Sequence, residues 1–234
     1  MRTGTLRCTR LLIQDKNRNN VFLIQYFHRH PLANEFIHFS FASKGIEFVE
    51  KIETALPGVL ELRPKVFRDA RGSFVETYHR DRYVEIGIRD LFVQDNHSRS
   101  AKSTLRGFHY QLNRPQAKLC WVAEGEALDV ALDIRAGSPH FGRWASVRLS
   151  AAEQNQIYIP AGFAHAFLAL TDNVQFLYKC SEFYDQKSEH GVLWSDPAIG
   201  VKWGIETPII SDKDARFSPL ADLPREFLPP YESK

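Results

Sequence analysis

The chain has 234 residues, with 30 Lys and Arg against 28 Asp and Glu and a formal charge of +2. That near balance makes no electrostatic case for binding nucleic acid or a membrane surface, and no apolar run approaches the ~20 residues of a membrane helix. The length suits one large domain, or a medium domain with an appendage, and the 44% apolar content is that of an ordinary globular chain.

The first stretch, residues 1–47, reads differently from the rest. It is basic up to Lys44 and carries a polar knot, Asp15-Lys16-Asn17-Arg18-Asn19-Asn20. The Phe- and His-bearing segment Phe22 to Phe41 shows no clean period. Three readings stay open: a disordered or loosely docked extension, a start codon set too far upstream, and a targeting peptide. No chemistry is assigned to it.

From Phe48 onward, short alternating runs are broken by Gly, Pro, Asn and Asp. Gly58–Arg63 reads as a strand, and Arg80–Ile86 as a short helix. Lys118–Ala123 and Ala127–Arg135 read as strands joined at Glu124-Gly125-Glu126. In the second, Val130, Leu132 and Ile134 share one face and Asp129, Ala131 and Asp133 the other, as a two-residue period demands. Further strands are expected at Trp144–Leu149, Gln156–Ile159, Ala164–Leu170 and Gln175–Cys180. Many short strands with regular turns predict an all-β sandwich or barrel for residues 48–234.

Four segments hold residues capable of chemistry. In Leu105–Gln111, His109 lies on a strand after Gly107, a position for a kink or close backbone approach. Phe163, His165 and Phe167 follow Pro160-Ala161-Gly162 and share a face. Phe176, Tyr178 and Cys180 share another. Ser211-Asp212-Lys213-Asp214 forms a charged turn. Histidine is the natural base near neutral pH, since its unperturbed pKa is about 6.5, and a buried tyrosine hydroxyl wants a partner. Taken singly, however, each segment reads first as a satisfied core histidine, a packing tyrosine or a solvated turn. No G-x-S-x-G, G-x-G-x-x-G, P-loop or H-E-x-x-H occurs. The His28-Arg29-His30 pair lies in the N-terminal stretch, so no metal site is expected in the barrel. Cys8, Cys120 and Cys180 are too few and scattered for a disulfide framework. An odd count without a secretory signal points to the reducing cytoplasm.

Together the segments resemble one family, the dTDP-4-dehydrorhamnose 3,5-epimerases, from about Val49 to Leu223. The resemblance rests on Phe67-Arg-Asp-Ala-Arg-Gly-Ser-Phe-Val-Glu76, Gln94-Asp-Asn-His-Ser98, Leu105–Gln111, Ile159–His165, Phe176–Lys179 and Ser211–Asp214, six motifs in order. Phe108 stands where leucine is common and Ala166 where glycine is common, and neither change removes a functional group. The resemblance implies a cupin-type jelly roll. It implies inversion of C3 and C5 of dTDP-4-dehydro-6-deoxy-D-glucose through an enolate, without cofactor or metal, and a homodimer that exchanges strands.

By the same resemblance His109 is the base, Asp214 its dyad partner, Tyr178 the proton donor and Lys118 the residue near the ketone. Arg71, Phe74, Glu76, Gln94, Asn96, Arg106, His165, Glu189 and Lys213 hold the nucleotide sugar, and Tyr184 stacks on thymine. A C3-only or C5-only epimerase, a 4-keto sugar isomerase on the same barrel, and a non-catalytic sugar-nucleotide barrel stand as alternatives. The complete His–Asp–Lys–Tyr set weighs against the last.

Overall fold

A computed structural model describes residues 7–14, 21–28, 38–40 and 48–231. The chain divides into two compact units, 1–47 and 48–234. In the first, β1 (Arg7–Gln14) pairs antiparallel with β2 (Val21–His28), and β2 with β3 (His38–Ser40). No alternation is legible there, but Val21–His28 is dense in β-branched and aromatic residues, which suit a strand. The polar knot Asp15–Asn20 and the stretches 1–6, 29–37 and 41–47 lie outside the described residues.

The second unit begins with β4 (Val49–Glu53), β5 (Leu60–Pro64), β6 (Val66–Asp69), β7 (Gly72–Val75) and the short helix α1 (Arg80–Glu85). Then come β8 (Gln94–Ser100), β9 (Leu105–Gln111), β10 (Lys118–Glu124) and β11 (Glu126–Asp133). The chain continues through β12 (Trp144–Ser150), β13 (Gln156–Ile159), β14 (Phe163–Ala169), β15 (Val174–Cys180) and β16 (Glu189–Gly191). They form two antiparallel sheets, β4-β5-β13-β10-β15-β8 and β12-β11-β14-β9-β16, with β6-β7 a separate two-stranded ribbon. Each large sheet mixes strands distant in sequence, as in a jelly roll. No described helix is long and apolar enough to cross a membrane.

The inner faces of both sheets meet in one apolar cluster that includes Val122, Ala127, Ala131, Ile157, Phe163, Phe167 and Phe176. Phe167 and Phe176 stack across it, with ring centroids 4.0 Å apart and planes at 2°. The other face of β9, β11 and β14 is also covered. Leu105, Phe108, Val130, Leu132, Ile134 and Ala164 pack against Val192, Trp203 and Leu220 of the C-terminal segment. Both faces of β11 are therefore buried, and the face carrying Asp129 and Ala131 turns into the barrel.

Strand alternation fills the barrel unevenly. On β15, Val174 and Phe176 are fully buried while Tyr178, two residues further along, lines an open cavity. On β10 the order runs the other way, from Lys118 in the cavity through Cys120 to Val122 in the core. The same inner face is thus an apolar plug at one end and a polar pocket at the other.

Phe176 anchors the plug directly behind that pocket. Truncating it to Ala is expected to cost about 3–5 kcal/mol, seen as a Tm lowered by about 10 °C in thermal unfolding.

Candidate active site

The pocket at the polar end has a volume of about 260 Å³ and is lined by Gln94, Asn96, His109, Lys118, Tyr178, Cys180, Tyr184 and Glu189, with Tyr110, Gln111 and Gln116. His109 enters from β9 in one sheet, and Tyr178 and Lys118 from β15 and β10 in the other.

A β-bulge builds the β9 wall. His109 pairs with His165 and Arg106 with Phe167, so β9 spends three steps where β14 spends two. The extra residue puts Arg106 and His109, three apart, on the same inner face. Gly107 sits in the bulge at φ +110, and a Cβ there would lie 2.4 Å from the His165 carbonyl oxygen. Only glycine admits that approach. Its amide donates to Asp214 Oδ2 at 3.1 Å.

Asp214 begins a 3-10 turn, Asp214–Arg216, and is buried, whereas Ser211, Asp212 and Lys213 are exposed, so the reading of Ser211–Asp214 as a solvated turn holds for those three and fails at Asp214. Its Oδ1 lies 2.8 Å from His109 Nε2. The end of that turn is held at Gly191, which pairs with His109. A Cβ at Gly191 would lie 2.1 Å from the ring of Phe217, which packs edge-on to the imidazole with centroids 5.8 Å apart. Burial pushes the Asp214 carboxyl up, but the His109 hydrogen bond and charge, the Gly107 amide and the Ser211 hydroxyl outweigh it and hold the pKa below the usual range. An ionised Asp214 accepts the Nε2 proton. Nδ1 is left as the His109 nitrogen with no hydrogen-bond partner among the described residues, and it can take up a proton.

On the facing sheet, burial pushes the Tyr178 phenol up to about 12, aided by Cys180 and Cys120 and opposed by Arg106. The phenol therefore stays protonated at neutral pH, and its hydroxyl has no hydrogen-bond partner among the described residues. Lys118 makes no ion pair among them either. One wall thus offers a proton acceptor and the other a donor, with an ammonium beside the donor.

The pocket mouth is a hydrogen-bonded cluster. The Tyr184 hydroxyl donates to Glu189 Oε2 at 2.9 Å, and Lys213 Nζ reaches the same oxygen at 2.9 Å. Burial raises the Glu189 carboxyl, but the Lys213 and Tyr184 bonds more than offset it and keep it ionised. Gln94 accepts from the Tyr184 amide at 2.9 Å and donates to Asn96 at 3.0 Å. Arg106 donates to the Ser100 hydroxyl at 3.2 Å. His165 sits behind the pocket, with Nε2 at 3.0 and 2.9 Å from the two oxygens of buried Asp129. Burial lowers its pKa despite Asp129, and Lys118 and His109 add to the effect.

Of the expected site residues, Arg106, His165, Lys213 and Asp214 do not themselves line the pocket, and Arg71, Phe74 and Glu76 lie elsewhere within this chain. Arg71 and Phe74 line a separate groove on the β6-β7 ribbon, where Phe74 is exposed and Arg71 pairs with Asp69. Glu76, just after the ribbon, accepts from Arg82. Conversely, Tyr110, Gln111, Gln116 and Cys180 line the pocket without having been assigned to the site. Gln111, two after His109, and Cys180, two after Tyr178, were findable by strand alternation. Gln116 lies in a connection and Tyr110 on the opposite alternation, so neither had such a signal.

Against known proteins, the sequence profile of the dTDP-4-dehydrorhamnose 3,5-epimerases matches residues 53–222. The chain belongs to the dTDP-4-dehydrorhamnose 3,5-epimerase family. It is 47% identical to the Shigella flexneri dTDP-4-dehydrorhamnose 3,5-epimerase over 173 residues, which cover 73% of this chain and 96% of that one. A Legionella pneumophila dTDP-6-deoxy-D-glucose-3,5-epimerase solved with dTDP-4-keto-L-rhamnose is 42% identical with a TM-score of 0.77, covering 79% of this chain and 100% of its own. A Streptomyces bikiniensis 3'-monoepimerase solved with dTDP-quinovose is 35% identical with a TM-score of 0.72, covering 76% and 91%. The family's epimerase activity and all-β fold accord with the two-sheet barrel and its acid–base pocket.

Asp214 has a folded-state pKa below its unfolded value, so it adds stability above the ordinary Asp pKa of about 3.9 and loses it as pH falls through the folded value. Asp214→Asn is therefore expected to unfold about 1–3 kcal/mol more easily at neutral pH. The gap to wild type should close below about pH 3.9 in denaturant titrations. A gap independent of pH would show that the carboxylate charge is not what stabilises the turn.

Proposed function

We propose that this chain inverts C3 and C5 of dTDP-4-keto-6-deoxyglucose, giving dTDP-4-keto-L-rhamnose. The observation that carries the reading is the placement of the His109–Asp214 pair and the partnerless Tyr178 hydroxyl on facing sheets of one pocket. The C4 ketone acidifies the hydrogens on both neighbouring carbons. His109 Nδ1 takes one of them, and the C–H electron pair moves onto the C4 oxygen. Asp214 steadies the imidazolium, as in other histidine–carboxylate pairs. Lys118 donates to the enolate oxygen, a stabilisation whose loss typically costs about 3 kcal/mol. Tyr178 returns a proton from the opposite ring face, which inverts the centre. Solvent then resets both groups, and the second carbon follows by the same steps.

Arg106, His165, Gln94 and Asn96 hold the sugar and diphosphate. Glu189, Lys213 and Tyr184 receive the nucleotide at the mouth, with the Tyr184 ring stacked on thymine. Arg71, Phe74 and Glu76 serve from the ribbon of a second copy, in a homodimer whose β6-β7 strands reach across. The exposed Phe67 and Phe74 on that ribbon support this, since rings 40% and 68% exposed are costly unless covered. The reading needs no cofactor. The free thiols Cys120 and Cys180 suit a reducing cytoplasm.

The second reading, inversion at C3 alone, is favoured by the likeness to the 3'-monoepimerase. Incubation with dTDP-4-keto-6-deoxyglucose in D2O separates the two. NMR should find deuterium at both C3 and C5, whereas label at C3 alone establishes the monoepimerase and no label rejects the chemistry. His109→Ala and Tyr178→Phe should each lower kcat by at least about 100-fold with dTDP affinity retained. With the phenol pKa pushed up to about 12, turnover should show no loss from phenol ionisation below about pH 10.

For the ribbon, Arg71→Ala should raise KM for the dTDP-sugar by about tenfold, the scale of one lost charge-assisted bond, in a protein that sediments as a dimer. A monomer with unchanged KM contradicts the exchanged arrangement.

A further inference from the structure

We propose that Cys120, Asp129 and His165 form a binding site for a thiophilic divalent metal, zinc foremost, directly behind the substrate pocket. The three potential ligand atoms, one from each residue, lie within 4.8 Å of one another. Cys120 and Asp129 are fully buried, and His165 is 7% exposed. They come from β10, β11 and β14, which belong to both sheets, so no linear spacing in the sequence announces them. Thiolate, imidazole and carboxylate together make a donor set that suits zinc better than calcium or magnesium.

Asp129 and His165 already stand in contact. The Asp129 carboxylate is fully buried, and no Lys or Arg bonds to it among the described residues. Both its oxygens face a single nitrogen, His165 Nε2, at 3.0 and 2.9 Å. On binding, the Cys120 thiol proton leaves to solvent, the His165 proton that faces Asp129 moves to Nδ1 so that Nε2 offers a lone pair, and Asp129 offers one oxygen. Thiolate and carboxylate then balance the two charges of the ion, so no net charge is buried. Tetrahedral zinc holds such ligand atoms about 3.5 Å apart, so the set must tighten by about 1 Å. Three protein ligands leave the fourth position open.

The location ties the metal to the pocket. His165 is the register partner of His109, and Cys120 is that of Tyr178. Lys118 precedes Cys120 by two on the same strand, hence on the same face. An ion here would take His165 from the substrate, so occupancy should inhibit turnover. That consequence rests on the epimerase reading, whereas the binding itself does not.

The test is a titration of the reduced, full-length protein with CoCl2, cobalt serving as the spectroscopic stand-in for zinc. One cobalt per chain should bind with a thiolate-to-cobalt absorption band in the near ultraviolet, and zinc should displace it. The band should vanish in Cys120→Ala and persist in Cys8→Ala and Cys180→Ala. Cys120→Val keeps the core filled and replaces the Ala variant if that one fails to fold by circular dichroism. No band in wild type, or a band that survives in a folded Cys120 variant, overturns the site. Zinc should lower wild-type turnover at least tenfold, reversibly with EDTA, and leave Cys120→Val unaffected. Cobalt binding with unchanged turnover under zinc would overturn the inhibitory consequence.

Discussion

The hydrogen bond between His109 and Asp214 is the contact on which the rest of the site depends. It joins β9 to a turn more than a hundred residues downstream and fixes which imidazole nitrogen is free. Neither partner reaches it by simple strand geometry. His109 faces inward in step with Arg106 because β9 bulges at Gly107, and the same glycine gives its amide to Asp214. Asp214 stays in place because Phe217 closes the turn against the bare backbone of Gly191. Two glycines, one bulge and one aromatic ring thus hold a single proton acceptor in position, the kind of close support that a functional group needs.

The barrel supplies the rest through one constraint. Alternating side chains of two facing sheets must fill the space between them, and at one end they fill it with Phe167 and Phe176. At the other end the same inner rows turn polar, with Tyr178 following Phe176 and Lys118 preceding Cys120. Tyr178 and His109 stand on different sheets, so in the proposed reaction a flat sugar ring between them would meet one group on each face. Burial serves both, keeping the phenol protonated and concentrating the charge of Asp214 on a single imidazole.

Much of this is legible in the linear chain. The alternation in Ala127–Arg135 and Gln175–Cys180 reveals strands, and six ordered motifs carry the family. Other features depend on long-range packing. Asp129 looks like an ordinary residue on the polar face of a strand until β14 brings His165 to it. Asp214 looks like part of a charged turn until β9 closes over it. The sequence also assigns Arg71, Phe74 and Glu76 to the same task as His109, whereas the single chain carries Arg71 and Phe74 on a ribbon of their own. A linear motif does not record where the fold places its residues.

The central claim is that base and acid stand on opposite faces of the bound sugar. A crystal structure of the protein with a dTDP-hexose tests it most directly. The expected result is His109 Nδ1 within about 3–3.5 Å of the carbon whose proton it takes, with the Tyr178 hydroxyl on the far side of the ring plane. Finding both groups on the same face, or the sugar bound outside the pocket they share, would contradict it.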